Sequence, residues 1–258
     1  YFKFTADGSD SYYYFHLTNL AEEGRLNYSL YTDDTLTEIV ISEGVKTIGA
    51  EAFFDCDNIT SVIIPDSVTT IGANAFASCD KLETVKIGNG VQLIGGEAFA
   101  SCAVLDDVNL GTSVISLGNS LFKDCSSLKE IKIPDSVTDL GDGIFSGCTS
   151  LETVTLGKGV TKITKDAYRD IDTLTEIVIP EGVTTIGDYA FYDCDGIKNI
   201  VIPNSVTEIG ISAFENCDLL ETVKFGTGVT KIGDNAFKGN AKIETIAIPD
   251  SVTTLGEG

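Results

Sequence analysis

A 23-residue repeat occupies most of this chain and limits its fold more than any other feature. Copies begin at Leu36 and then at every twenty-third residue as far as Ile243, each starting with Leu or Ile. Nine copies are full, and the tenth ends at Gly258 after 16 residues. A fixed period of this length is typical of a solenoid, in which each repeat packs only against its neighbours. The sequence therefore predicts one repeat domain over 36–258. Because the chain starts at Tyr1 and stops inside a repeat, we expect it to be a piece of a longer protein.

Residues 1–35 do not follow the repeat. Phe2 and Phe4 alternate with Lys3 and Thr5, and after a turn Tyr12, Tyr14 and His16 alternate with Tyr13, Phe15 and Leu17. This pattern is typical of short antiparallel strands. Because the first rung of a solenoid would otherwise expose an apolar end, we predict that 1–35 is an N-terminal β-cap. The alternative is the remnant of a separate upstream domain.

Within each repeat, the first half has the pattern of a strand. Numbering each copy from its first residue, positions 4 and 6 are apolar and lie on one face of a strand, while position 5 lies on the other. Position 7 is Pro in five copies and otherwise Gly or Ser, which ends the strand. Strands of successive repeats are expected to pair in parallel.

The second half of the repeat has a different spacing. Apolar residues at positions 13, 17, 18 and 21 follow a helical period, which predicts a short α- or 3₁₀-helix after an extended stretch. Position 14 is Gly in nine copies, which predicts a turn with a special backbone angle.

These residues carry a resemblance to a known family. The pattern LxxLxL followed by P-x-x-V-x-x-I-G-x-x-A-F-x-x-C resembles the BspA-like, or Treponema-type, leucine-rich repeats of bacterial surface proteins, and it covers 36–258. The resemblance implies an α/β fold: a right-handed, curved leucine-rich-repeat solenoid with a parallel β-sheet on its concave face and short α- or 3₁₀-helices on the other side. It also implies a surface-exposed or secreted adhesion or interaction module. The asparagine ladder of other leucine-rich repeats is absent, since Gly or Ser occupies position 9.

All seven cysteines share position 21 of the repeat, and two further copies carry Ile171 and Asn240 there. Equivalent side chains on stacked rungs point in parallel, which disfavours disulfide bonds. A position that accepts Ile is apolar, so the sequence predicts a column of buried free thiols.

The sequence gives no support for catalysis or for a cofactor. His16 is the only histidine, no nucleotide-binding or nucleophile motif lies at a strand–helix junction, and the carboxylates are spread along the repeats. No Cys/His spacing suggests zinc. Asp and Asn recur at positions 20 and 22, for example Asp193 and Asp195. We interpret them as solvated turn residues, and the alternative is a calcium site. We therefore predict no enzyme activity, no metal and no cofactor.

The outward positions 3 and 5 of the strand are the predicted binding surface. Position 5 has Val40, Ile63 and Lys86 in the first three copies, and Val178, Val201 and Lys224 in the seventh to ninth. A second period of six repeats, 138 residues, is therefore superimposed on the first. Passive duplication of a six-repeat block explains this pattern better than selection for binding does, because exposed Val and Ile favour strands and single exposed apolar residues are common. The predicted binding residues are Glu38, Val40, Ile63, Lys86, Lys132, Glu176, Val178, Val201 and Lys224.

Charge and composition restrict the class of partner. A net charge of −22 excludes nucleic acid and anionic membrane surfaces as partners, and no apolar run is long enough to cross a membrane. Positions 3 and 5 carry no aromatic residue, which favours a protein ligand over a carbohydrate. We expect a monomeric, extracellular or cell-surface module that binds a host matrix or surface protein. The alternative is a structural spacer or carbohydrate-binding stalk of a larger surface protein.

Overall fold

The computed structural model describes residues 2–5, 12–15, 25–26 and 36–258. In the first segments, strands β1 (Phe2–Thr5) and β2 (Tyr12–Phe15) pair antiparallel, as expected for this part of the chain. Strand β3 (Arg25–Leu26) instead pairs in parallel with β4 (Thr47–Ile48), so the expectation of antiparallel pairing is wrong there. The predicted role of 1–35 as a cap stays a prediction, and His16 lies outside the described residues.

Repeats two to nine each contribute two strands, the first and tenth contribute one each, and together these strands form two rows of parallel strands. The first row comes from positions 3–6, as the alternation predicts. Its strands are β5 (Ser61–Ile64), β7 (Thr84–Ile87), β9 (Asp107–Asn109), β11 (Glu130–Lys132), β13 (Thr153–Thr155), β15 (Glu176–Ile177), β17 (Asn199–Val201) and β19 (Thr222–Lys224).

The second row comes from positions 12 and 13, where the sequence indicated only an extended stretch. Besides β3 and β4 it contains β6 (Thr70–Ile71), β8 (Leu93–Ile94), β10 (Ser116–Leu117), β12 (Asp139–Leu140), β14 (Lys162–Ile163), β16 (Thr185–Ile186), β18 (Glu208–Ile209), β20 (Lys231–Ile232) and β21 (Thr254–Leu255). Where strands of neighbouring repeats pair, each residue lies opposite its equivalent 23 positions away, for example Ile63 with Lys86 and Thr185 with Glu208. The parallel pairing of successive repeats is confirmed.

The third side of the solenoid is built from turns, and the predicted helix is wrong: residues 36–258 contain no helix. Residues at positions 16 and 20 have left-handed backbone angles, as at Asn74 (φ 55°) and Ser78 (φ 59°). Alternate amides donate to carbonyls of the next rung at 2.8–2.9 Å: Asn74 to Gly96, Phe76 to Ala98 and Ser78 to Ala100. An α-helix needs right-handed angles throughout and bonds within its own segment, so it is excluded.

The spacing of the rungs gives the physical reason for the missing helix. Position 18 places one aromatic ring per rung in the core, and neighbouring rings stack with centroids 4.9–6.0 Å apart from Phe53 to Phe237. An α-helix with its side chains is about 10–12 Å wide. Helices on successive rungs would collide at the measured spacing, whereas a turn one backbone thick fits.

Glycine at position 14 is required by close approach of neighbouring rungs. The angle predicted for it is wrong, since these glycines do not have positive φ. A β-carbon at Gly95 would lie 2.5 Å from the backbone nitrogen of Ala73 on the preceding rung. Repeat six has Thr164 at this position, and there the second row is interrupted, since β14 does not pair with β12. The Thr164 hydroxyl instead donates to the carbonyl of Gly141 at 2.8 Å.

We expect Gly95→Ala to destabilise the protein by about 3 kcal/mol, because the added methyl group overlaps backbone that cannot move independently. The adjacent Gly96→Ala is the matched control, since its β-carbon would lie 3.2 Å from the carbonyl oxygen of Asn119. Urea unfolding of both variants measures the difference. Equal losses of stability would contradict the close-approach explanation.

The predicted column of buried free thiols is confirmed. All seven cysteines are free and fully buried. Six of the thiols donate to the carbonyl oxygen of the aromatic residue on the preceding rung, at 2.7–3.2 Å. Asn240 takes the same place in its repeat, and its side-chain amide donates to the carbonyl of Phe214 at 2.7 Å. At position 21, six cysteines and Asn240 therefore each donate a hydrogen bond to a backbone carbonyl of the preceding rung.

We expect the cysteines to resist alkylation in the native protein. Burial raises the pKa of the Cys148 and Cys217 thiols to about 12, so almost no reactive thiolate forms at neutral pH. Titration with a thiol reagent should label none of the seven before denaturation and all seven in denaturant. Rapid labelling of the native protein would contradict the buried column.

Tyr168 is the one tyrosine in the aromatic column of residues 53–237, and its hydroxyl is buried without a hydrogen-bond partner. Burial also raises the pKa of this phenol. A buried hydroxyl that lacks a partner costs about 1–3 kcal/mol. We expect Tyr168→Phe to raise the free energy of unfolding by about 1 kcal/mol or more, measured by urea denaturation. Phe191→Tyr on the next rung is the control, and it should lower stability by a similar amount. A Tyr168→Phe variant less stable than the wild type would show that the hydroxyl has a partner.

Candidate functional site

The outward side of the first row, here called the first-row face, carries the predicted binding residues. All nine are exposed, as the alternation of the strands predicts: Glu38, Val40, Ile63, Lys86, Lys132, Glu176, Val178, Val201 and Lys224. The aliphatic members expose a large part of their side chains: Val178 72%, Ile63 66%, Val201 58% and Val40 40%. Inward neighbours such as Ile64 and Ile200 are buried and anchor the same strands.

The strand register places an aliphatic residue beside a lysine at two points on this face. Ile63 in β5 is the direct cross-strand partner of Lys86 in β7. Val201 in β17 is the direct partner of Lys224 in β19. Lys132 differs, because its partner in β13 is Thr155. The structure thus brings two of the three predicted lysines against an exposed aliphatic side chain.

These lysines, like most basic residues of 36–258, have no acidic partner. The ion pairs formed within 36–258 lie on the second row or on the turn side, as between Lys231 and Glu208 (2.6 Å) or Arg169 and Asp166 (3.2 Å). Within the described residues, Lys86, Lys132 and Lys224 make none. Three uncompensated cations therefore stand on one face of a strongly acidic protein.

The first row is interrupted at two seams that the sequence analysis did not anticipate. Its strands form three separate sheets, with breaks between β9 and β11 and between β15 and β17. At the first break Asp107 and Glu130 occupy equivalent positions, and like charges on neighbouring strands disfavour pairing. The Asn109 side chain also turns back to accept a hydrogen bond from the Gly111 amide at 2.9 Å. The opposed acidic residues at position 3 were the signal in the sequence for this break.

An open hollow lies at each seam. The hollow between β15 and β17 has a volume of about 710 Å³ and is lined by Glu176, Val178, Lys198 and Val201 among others. The hollow between β9 and β11 has a volume of about 600 Å³ and includes Lys132 in its lining. The second aliphatic patch therefore surrounds a recess rather than a flat sheet.

The recurring Asp and Asn residues have a structural role. At positions 8, 15 and 22 a side-chain oxygen accepts a hydrogen bond from an amide of the next rung at 2.6–3.2 Å, as between Asp66 and the amide of Asn89. At position 20, Asp, Asn, Ser and Gly adopt the left-handed angle that these residues tolerate best. In the part of the chain that the structure describes, no cluster of three His, Cys, Asp or Glu residues is arranged to hold a metal ion.

Repeats six and seven carry a second cluster, on the turn side. The Arg169 guanidinium lies 4.8 Å from the ring centre of Tyr192 and 5.6 Å from that of Tyr189, and it pairs with Asp166 and Asp170. The sequence offered a signal for it, because Arg169 is the only arginine of 36–258 and the three tyrosines of that range lie within repeats six and seven. Sequence analysis did not identify this cluster as a site.

Carboxylates accumulate beside that cluster. Partial burial, followed by the charges of Asp195 and Asp170, raises the pKa values of Asp172 and Asp193. The turn side of repeats six to eight is therefore acidic, in contrast to the first-row face with its unpaired lysines.

Comparisons with known proteins agree with this architecture. Residues 25–152 and 138–258 match the family model described as the BspA type leucine rich repeat region. Among solved structures, a leucine rich cell surface protein from Faecalibacterium prausnitzii is similar over 99% of this chain and 93% of its own, with 26% identity and a TM-score of 0.50. The leucine rich repeat protein of T. pallidum is similar over 68% of this chain and 72% of its own, with 26% identity and a TM-score of 0.51.

A further solved structure is similar in fold, but its sequence identity is too low to indicate more than that. The pneumococcal vaccine antigen PcpA is similar over 89% of this chain and 62% of its own, with 21% identity and a TM-score of 0.61. No functionally curated protein matches the sequence. The described residues contain no long apolar helix that could cross a membrane.

Proposed function

Because the chain belongs to the BspA-type leucine-rich repeat family, we propose that it is a non-enzymatic interaction module, secreted or displayed on a bacterial surface. It binds a host or partner protein, acting as a monomer, through the first-row face. The observation that carries this proposal is the pair of exposed aliphatic patches, each beside a lysine without an acidic partner.

The physical cost of leaving these groups exposed supports the choice of face. Val178, Val201 and Ile63 each expose more than half of their side chain, in a fold that buries nearly all its other large aliphatic residues. An apolar surface rimmed by polar groups is a common mark of a protein-binding site. Shape also supports it, since the hollow between β15 and β17 gives a partner side chain a recess to enter.

The surface location is supported by the neighbours. One similar structure is described as a cell surface protein and another as a vaccine antigen. Buried thiols are compatible with that location, because a thiol with a raised pKa is chemically inert in an oxidising environment as well.

A carbohydrate-binding or spacer role is the second candidate, and one observation favours the carbohydrate version. Tyr189 and Tyr192 are partly exposed beside acidic side chains on the turn side. Sugar binding there would use their rings and the neighbouring carboxylates. Arg169 already covers both rings, which favours the protein ligand over this alternative.

The proposal is tested with the double substitution Val178→Glu and Val201→Glu. We expect it to weaken binding to a protein ligand at least tenfold, because it places two charges in the aliphatic patch. Binding is measured by surface plasmon resonance against a panel of purified host matrix and surface proteins, with a glycan array in parallel.

The matched control is Leu93→Glu with Ile115→Glu. These two residues are also exposed aliphatics (44% and 47%) but lie at the second row. Both double variants should unfold at the temperature of the wild type. Protein binding unaffected by the first pair would rule out the first-row face, and glycan binding abolished by Tyr192→Ala would favour the carbohydrate role.

A further inference from the structure

The two aliphatic–lysine patches are related by six repeats and have the same local structure. Site one consists of Val40, Ile63 and Lys86, and site two of Val178, Val201 and Lys224. In each site the central aliphatic residue and the lysine are direct partners on adjacent strands.

The strand pairing stops at the same place in both sites. Strand β5 pairs only with β7, and residues 36–41 of the preceding repeat form no strand. Strand β17 pairs only with β19, and β15 of the preceding repeat belongs to another sheet. Along the solenoid, each site therefore consists of a first aliphatic residue, a break in the strand pairing, a second aliphatic residue and then a lysine.

We propose that these are two equivalent binding sites, and that the partner is a protein carrying two copies of an extended segment in which an apolar residue is followed by a carboxylate. This inference rests on the proposed function and adds the chemistry and the valency of the ligand. An acidic ligand group complements Lys86 and Lys224, which are exposed beside the aliphatic residues and make no ion pair within the described residues of the protein.

Strand geometry sets the spacing of the segment. Adjacent strands lie about 4.8 Å apart, and side chains on one face of an extended peptide recur about every 6.8 Å. A segment that runs across the strands, with the apolar residue at i and the acid at i+2, therefore reaches from the aliphatic pair to the lysine side chain. Six strand steps separate the two sites by about 29 Å. A flexible linker of about 12 residues between the two copies spans this distance.

Two linked copies should bind much more tightly than one. Once one copy is bound, the second binds at the effective concentration set by the linker, which raises the apparent affinity about 100-fold or more. Lys162 provides an internal comparison, because it is an exposed lysine without an acidic partner in 36–258 that lies in the second row and faces Thr185.

The test uses a fluorescein-labelled peptide Ser-Lys-Thr-Leu-Thr-Glu-Ser, as a single copy and as two copies joined by a 12-residue Gly/Ser linker. Fluorescence anisotropy measures binding to the wild type and to Lys86→Glu, Lys224→Glu and Lys162→Glu. We expect the two-copy peptide to bind the wild type about 100-fold more tightly than the single copy. Lys86→Glu or Lys224→Glu alone should reduce its affinity to that of the single copy, and Lys162→Glu should leave it unchanged.

Each other outcome overturns the inference. Equal affinities of the two peptides would exclude two sites, and an effect of Lys162→Glu equal to that of Lys86→Glu would show that the lysines act only through the overall charge of the protein. Absence of binding by both peptides would exclude the proposed ligand chemistry. The proposed function is judged separately: if Val178→Glu with Val201→Glu abolishes protein binding while the lysine variants do not, the face binds protein but by another chemistry.

Discussion

The distance between successive rungs is the constraint on which the rest of this structure depends. Parallel strands hydrogen-bond about 4.8 Å apart, and every layer of the repeat must fit that spacing. Aromatic rings fit because they stack at 4.9–6.0 Å, and a turn fits because it is one backbone thick. A helix does not fit, and neither does a β-carbon at Gly95. The one repeat with Thr164 at that position interrupts the second row, which shows how little freedom the spacing leaves.

Stacking also determines how polar groups are satisfied. Six of the seven buried thiols donate to the preceding rung, and Asp or Asn side chains accept hydrogen bonds from amides of the next rung, as Asp195 does from Asp218. The high negative charge is therefore partly a consequence of the hydrogen-bonding scheme, since a repeat that uses Asp for this purpose accumulates charge with each copy. Tyr168 is an exception in the core. The other rings of the aromatic column are phenylalanines without a polar atom, and the Tyr168 hydroxyl is buried among them without a hydrogen-bond partner.

The sequence was sufficient to predict the features that the inward-facing positions determine. Strand positions, the apolar face and the buried thiols follow from residues that recur in every copy, and Ile171 in a cysteine position already indicated an apolar site. The helix was wrong because the spacing of apolar residues at positions 13 to 21 is the same for a helix and for this turn. Asn, Asp or Gly at many of these positions, as at Asn74 and Gly147, was a partial signal for the left-handed angles, but Glu51, Glu97 and Tyr189 adopt the same angle without it. The seams were missed because they depend on pairs such as Asp107 and Glu130 on different rungs, which no single repeat reveals.

Side chains at position 5 of the first row point outward and contribute least to packing, so their identities are the most informative about function. Duplication of a six-repeat block would copy the whole block, yet the correspondence is selective: Val40, Ile63 and Lys86 have equivalents in Val178, Val201 and Lys224, whereas Asn109 corresponds to Ala247. Within the described residues, the lysines of this row have no acidic partner, although acidic residues are abundant and ion pairs form on the other two sides. In a fold that satisfies its polar groups rung by rung, the face that exposes Ile63, Val178 and Val201 also carries lysines without an acidic partner, and this combination suits a binding surface.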